Sequence, residues 1–245
     1  LVSRWVSKTE ISITIADPFL DAAPAGTVAV SGPADLKGKI FDNCVIAVKP
    51  QLIANVVPSY LPFISESACV FSIAAGFSIE SLTKIVGKRP IIRMMPNLPA
   101  EIGKGVTGYF GNPEASPGDD ELAKLLTESI GLSLQVLQEE DLDKVTAVAG
   151  SGTGYAFEII RCWIQAAESI GLSADTSREV VLATIGGAVD LASVKSNSIE
   201  HLRNSVTSPN GTTAAGLAEL RKDESMEKLM KATVEAALTR AIELR

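Results

Sequence analysis

Ala68-Cys69-Val70-Phe71-Ser72-Ile73-Ala74-Ala75-Gly76 is a short apolar run that stops on three small residues. A run of that length, closed by a turn residue, has the pattern of a strand buried on both faces. Residues 78–86 follow with helical spacing. Pro90-Ile91-Ile92-Arg93-Met94-Met95 is the next strand and ends at Pro96-Asn97. Upstream, Cys44-Val45-Ile46-Ala47-Val48 is another buried strand, leaving at Lys49-Pro50, with a helical stretch over 51–57 and prolines at 58 and 62 after it. Thr27-Val28-Ala29-Val30 and Ile11-Ser12-Ile13-Thr14-Ile15-Ala16 are earlier strands, the latter ending at Asp17-Pro18. Apolar strands alternating with helices argue for a parallel α/β sheet built from crossovers.

Downstream, residues 106–111 and 132–137 read as strands, 114–118 as a turn-rich loop and 119–130 as an amphipathic helix. From Glu139 onward strands stop. Stretches 145–167, 176–193, 199–205, 213–221 and 226–245 read as helices. The expected organisation is an N-terminal sheet domain over 1–143 and an all-helical domain over 144–245. Gly186-Gly187 lie inside one helix, where each costs about 1 kcal/mol against Ala. That cost predicts close helix contact there.

The 245 residues are 46% hydrophobic, enough for a sizeable core, and carry a net charge of −7. An acidic chain without a long basic run argues against nucleic acid and anionic membranes as partners. Mean hydropathy is +0.24, yet no uncharged apolar run reaches the roughly 18 residues that a span requires. The apolar excess is assigned to buried strands and a large subunit interface. Cys44, Cys69 and Cys162 are scattered among apolar neighbours with no C-x-x-C spacing, which predicts buried free thiols in a reducing cytosol. His201 stands in a polar helical stretch without a visible ligand partner, against metal or triad chemistry. Leu1-Val2-Ser3-Arg4-Trp5-Val6 has the pattern of the middle of an amphipathic helix. The expectation is a natural chain that starts earlier, with a first strand and a glycine-rich turn upstream.

Ligands of open α/β sheets sit outside the carboxyl ends of the strands. Those ends are Asp17, then Ala47-Val48-Lys49-Pro50, then Ala74-Ala75-Gly76, then Asn97. The small residues let a nucleotide approach the backbone. Asp17 stands where dinucleotide folds place a carboxylate against ribose hydroxyls, about 20 residues after a G-x-G-x-x-G turn. A second candidate is Ser205-Val206-Thr207-Ser208-Pro209-Asn210-Gly211-Thr212-Thr213-Ala214-Ala215-Gly216-Leu217. Pro209-Asn210-Gly211 is turn chemistry, and Thr212 and Thr213 are N-cap-type residues. A helix start offers unpaired N–H groups and a partial positive charge, so it can hold a carboxylate without an Arg. An ordinary capped helix is the plainer reading of the same spacing.

Four segments, in this order and spacing, resemble pyrroline-5-carboxylate reductases: Ala47-Val48-Lys49-Pro50-Gln51, Met95-Pro96-Asn97-Leu98-Pro99-Ala100, Gly150-Ser151-Gly152-Thr153-Gly154-Tyr155 and Val206-Thr207-Ser208-Pro209-Asn210-Gly211-Thr212-Thr213. The likeness spans nearly the whole chain. It implies a Rossmann-like dinucleotide-binding domain, a helical substrate-binding and dimerisation domain, and an intertwined dimer that is often built into a decamer. The family's Ser-Pro-Gly-Gly-Thr-Thr has Asn210 at its third position here, and its Gly-Ser-Gly-Pro-Ala-Tyr has Thr153 and Gly154. The resemblance also sets Ser205, where the family commonly has Asn, beside the ligands, counted with the cofactor-binding residues.

The implied reaction is hydride transfer from NADPH or NADH to the C=N carbon of a cyclic imino acid, giving L-proline. A protonated imine is already electrophilic, which fits a chain without a catalytic His or paired carboxylates. The substrate carboxylate is expected on the N–H groups of Gly211, Thr212 and Thr213, with Ser208 as a second polar contact. By the resemblance, the Thr213 hydroxyl meets the ring nitrogen. Asp17 should repel a 2′-phosphate and leans toward NADH, whereas the family frequently accepts NADPH. The apolar helical half predicts a pocket formed between subunits. Two alternatives stand beside this. One is a β-hydroxyacid dehydrogenase-like enzyme, disfavoured because no Lys lies between Lys144 and Lys195. The other is a non-catalytic interaction protein, if the glycine turn is truly absent.

Overall fold

The alternation of apolar strands and helices builds a sheet with helices against it. The computed structural model describes residues 1–8 and 11–245. Helix α1 (Val2–Lys8) leads to strands β1 (Ile13–Ala16) and β2 (Thr27–Val30), which pair in parallel as a separate ribbon. The main sheet has the order β3-β4-β5-β6-β7, from β3 (Phe41–Ile46), β4 (Ile64–Ser72), β5 (Ile91–Met95), β6 (Gly105–Gly111) and β7 (Gly131–Gln135). Helices α2 (Ile53–Val56), α3 (Ile79–Val86) and α4 (Pro117–Glu128) connect its strands. The strands β3, β4 and β5 are parallel, as expected, but β6 is antiparallel to β5 and β7 follows β6. The cause is the connection. A parallel return needs a dozen or more residues. Residues 96–104 hold only a 3-10 turn, Leu98–Ile102, so the chain reverses.

The second half of strand β4, from Ala68 to Ser72, is buried throughout, and its packing shows why the run is mostly apolar. Val70 packs on one side with Ile46, Ile53, Leu82 and Ile91. Cys69 and Phe71 pack on the other with Ile92, Met94, Tyr109 and Ala123. Successive side chains point to opposite faces, and both faces are covered. Each such aliphatic or aromatic burial contributes on the order of 1.5–3 kcal/mol. The α1 pattern is confirmed by Trp5, which is buried with Ala100, Leu126 and Ile130 and donates its indole N–H to the Leu126 carbonyl at 3.0 Å.

After β7 the chain is helical: α5 (Asp141–Val145), a π-helical turn (Thr146–Gly150), α6 (Gly152–Ser169), α7 (Ala174–Val194), α8 (Ile199–Ser205), α9 (Thr212–Leu220) and α10 (Ser225–Leu244). Two compact units result. One comprises Leu1–Thr153 with Ala236–Arg245, the other Gly154–Glu235. In the second unit only Ser177 and Val181 are buried, while Phe157, Trp163 and Val189 are 58%, 47% and 58% exposed.

Two expectations are corrected in this unit. A Cβ at Gly186 or Gly187 would meet nothing within 4 Å, so no other described helix of the single chain approaches them closely. Cys162 is exposed, whereas Cys69 is buried and Cys44 partly so. Both corrections have one cause: a helical pattern marks a face as apolar without saying what covers it, and in a single chain these faces are exposed. No described helix is long and apolar enough to cross a membrane.

Candidate functional site

Helices α3, α4, α7 and α8 begin alike. A serine stands at each N-cap — Ser78, Ser116, Ser173, Ser198 — and its side chain accepts a hydrogen bond from a backbone N–H three residues on. This satisfies one orphan donor of the first turn. Helix α9 begins differently. Its N-cap is Gly211, with no side-chain cap. Thr212 and Thr213, expected to cap, are instead its first two helical residues.

The turn before α9 follows its sequence. Asn210 adopts φ 58°, the left-handed conformation that Asn tolerates. The Gly211 N–H donates to the Ser208 carbonyl at 3.0 Å, and the first helical bond runs from Ala215 N–H to the Gly211 carbonyl at 3.1 Å. The Gly211 donor expected for a ligand is therefore already used, and the open donors are those of Thr212, Thr213 and Ala214. A Cβ on Gly211 would collide with the Ser208 hydroxyl, so glycine lets Ser208 fold back over the turn. The Thr212 and Thr213 side chains are exposed. The result is a run of free N–H groups and hydroxyls at the positive end of a helix, a place for a carboxylate. Ser205 is arranged otherwise: its hydroxyl donates to the Leu202 carbonyl of its own helix at 2.7 Å.

The other candidate residues lie at strand ends of the first unit. Asp17 is exposed after β1, and its Oδ1 accepts the Phe19 N–H at 2.9 Å. Ala47 and Val48 follow β3 and line a cavity of about 180 Å³ together with Thr14, Ala16 and Cys44. Lys49 is exposed and Pro50 opens a 3-10 turn. Ala74, Ala75 and Gly76 follow β4, with the Ala74 N–H donating to the Ser72 hydroxyl at 3.3 Å and Gly76 at φ 68°. Cys44 is not a thiolate nucleophile in this cavity. Burial pushes the Cys44 thiol up to about 11, against the opposing effect of Arg89, so it stays protonated at neutral pH.

Asn97 is tied into the fold. Its Oδ1 accepts the Val106 N–H at 2.8 Å and its Nδ2 donates to the Ala149 carbonyl at 3.0 Å. Ala149 belongs to the π-helical turn, where the widened helix frees carbonyls. Asn97 thus joins the end of β5, the start of β6 and the turn before α6.

A further set escaped the sequence reading. Arg93 and Glu139 form an ion pair at 2.6 Å with side chains 5% and 18% exposed, and the same Glu139 oxygen accepts the Ile79 N–H at 2.8 Å. Glu139 therefore fixes the start of α3, immediately after the 74–78 turn. The available signal was Arg93 itself, a lone cation within an apolar strand that needed a buried anion.

Relatives agree with this architecture. Residues 139–244 match the family model for pyrroline-5-carboxylate reductase dimerisation. Pyrroline-5-carboxylate reductase 2 of Bacillus subtilis is 37% identical over 205 residues, covering 83% of this chain and 73% of that protein. The reductase of Pseudomonas aeruginosa is 36% identical over 204 residues, with 83% and 74% covered. Among solved structures, a pyrroline-5-carboxylate reductase from Coxiella burnetii superposes with a TM-score of 0.88 at 30% identity, over 99% of this chain and 93% of that one. The Plasmodium falciparum pyrroline carboxylate reductase with NADP bound gives 0.85 at 26%, over 99% and 92%. With relatives at 37% and 36% identity over 83% of its length and a dimerisation-model match over 139–244, the chain belongs to the pyrroline-5-carboxylate reductase family.

Proposed function

We propose that this chain reduces 1-pyrroline-5-carboxylate to L-proline, the final step of proline biosynthesis, with a reduced nicotinamide dinucleotide as hydride donor and with residues 1–143 and 144–245 as its cofactor and substrate domains. Beyond family membership, one observation supports the reading most. Helix α9 alone among the five helices compared above begins with Gly rather than Ser at its N-cap, and its first-turn donors are left open. The substrate carboxylate lies on the N–H groups of Thr212, Thr213 and Ala214. The Ser208 hydroxyl is a second contact, and the Thr213 hydroxyl hydrogen-bonds the ring nitrogen.

When bound, the cofactor supplies the hydride, and the protein supplies orientation. The residues present fit it. Ala47 and Ala75 are small and exposed, Gly76 has the left-handed backbone of a tight turn, and Asp17 keeps one carboxylate oxygen without a hydrogen bond among the described residues. Val48, Lys49, Pro50 and Ala74 complete those strand ends. Asn97 acts on this site by holding the end of β5, and Ser205 by terminating α8. The Asp17 carboxylate favours NADH over NADPH by repelling a 2′-phosphate. The exposed apolar surface of α6 and α7 is covered by a second copy of the chain, so the working protein is at least a dimer, and its place is the cytoplasm.

Thr213→Ala tests the reading. Loss of one substrate hydrogen bond of roughly 1.5–3 kcal/mol lowers kcat/KM by about 10- to 150-fold, with dinucleotide affinity unchanged. Equal kcat/KM in variant and unmodified protein would remove Thr213 from the site. Comparing kcat/KM for NADH and NADPH decides the cofactor, and a strong NADPH preference would show that Asp17 does not meet the ribose.

A further inference from the structure

Helix α10 is divided between the two units, its last residues counting with the sheet unit. Its end reaches the turn after β4. At Gly76, φ is 68°, and a Cβ would sit 2.7 Å from the Leu244 carbonyl oxygen and 3.1 Å from the Leu244 Cβ. No other residue type accommodates both that backbone and that approach without displacement. One residue further on, the Arg245 Nη1 lies 3.3 Å from Glu140 Oε1 and 3.3 Å from Asp143 Oδ2. The Asp143 side chain is 6% exposed, and its Oδ2 is buried without a hydrogen bond. Burial raises the Asp143 carboxyl, and Arg245 is the first of the charges that oppose this, ahead of Arg93, while Glu139 and Glu140 add to it. The acidic stretch 139–143 therefore works on two sides. Glu139 holds Arg93 and the Ile79 N–H. Glu140 and Asp143 hold Arg245.

The consequence falls on the 74–78 turn. It is anchored at its far end by Glu139 and pressed at its middle by the end of α10. We propose that Arg245 is a positioning residue for the dinucleotide: paired with Glu140 and Asp143, it seats Leu244 on Gly76 and fixes the turn in the shape that receives the cofactor. This rests on the cofactor role given to that turn above. Arg245 touches neither substrate nor cofactor and acts through Leu244. An exposed ion pair would have little effect, but an Asp143 carboxylate this buried depends on its partner.

The test uses the whole protein carrying Arg245→Ala, Arg245→Lys or Asp143→Asn. For Arg245→Ala, KM for the dinucleotide rises about three- to tenfold, the scale of a shift near 1 kcal/mol. The kcat at saturating cofactor and the KM for the imino acid stay within about twofold by the same scale. A purely structural latch would lower the unfolding midpoint and leave this split unmoved. Arg245→Lys restores most of the dinucleotide KM. Asp143→Asn reproduces the rise, and joined with Arg245→Ala it adds nothing, because the two act as one unit. An unchanged dinucleotide KM in Arg245→Ala, or additive rises in the double variant, overturns the proposal. Should Arg245→Ala not fold, Asp143→Asn and Arg245→Lys decide it by the same readout. Fluorescence titration of the unmodified protein with NADH and NADPH separates the two levels. No binding there removes the cofactor role itself, whereas binding that is indifferent to Arg245 removes only the positioning role.

Discussion

The sheet unit and the helical unit are both rich in apolar residues, yet they use them in opposite ways. In the first, Val70, Phe71, Leu82, Ile91 and Ile92 are fully buried. In the second, α6, α8 and α9 have no buried residue, and α7 has only Ser177 and Val181. A sheet presents two broad faces that connecting helices cover within one chain. Two long helices joined by short turns have too little partner surface to cover each other all round. The lesson is that the sheet unit closes its core within one chain, while the helical unit leaves its apolar residues exposed, available for the self-association proposed above.

Substitutions can break this contrast. The largest effect is expected from Glu139→Ala. It leaves Arg93 buried without an anion and the Ile79 N–H without an acceptor, a loss of about 3–5 kcal/mol. Denaturant unfolding should show it, and a change under 1 kcal/mol would mean that water reaches Arg93. Next is Leu82→Ala in the core against β4, at roughly 2–5 kcal/mol. Its cost should not depend on protein concentration. Trp163→Ala should do the reverse, shifting dissociation by about 2 kcal/mol or more if the residue is an interface hot spot, with little change in helicity. Sedimentation at several concentrations would show this, and an unaltered oligomer would place the interface on another surface. The smallest effect is Ser116→Ala. It removes the capping box of α4, at a cost of about 1 kcal/mol. The matching replacement Gly211→Ser adds a cap where none exists. It should lower substrate affinity by filling the place of the carboxylate, and it should also cost stability, because its Cβ meets the Ser208 hydroxyl and carbonyl.

Much of the fold was legible. Strand ends at Ala47-Val48, Ala74-Ala75-Gly76 and Met95-Pro96-Asn97 are marked by where apolar runs meet small or turn residues, and such punctuation is local. The α9 turn was legible for the same reason, since Asn210 and Gly211 announce positive φ and close approach by themselves. Which donors remain open was not. The use of the Gly211 N–H by Ser208 depends on how the turn closes. The Arg93–Glu139 pair joins residues far apart in sequence, and the place of Leu244 on Gly76 joins residues farther apart still. Exposure of Cys162 and Gly186-Gly187 in the single chain was not legible, because a helical pattern says that a face is apolar, not what covers it.

Sequence alone thus determined the period of each element, the turns between them and the residue types at the strand ends and the α9 turn, because each depends on neighbours within a few positions. Tertiary structure decided the reversal of β6, the tying of Asn97 between β6 and the π-helical turn, and the anchoring of the 74–78 turn by Glu139 and the end of α10. Those depend on distances between residues that only the closed chain brings together.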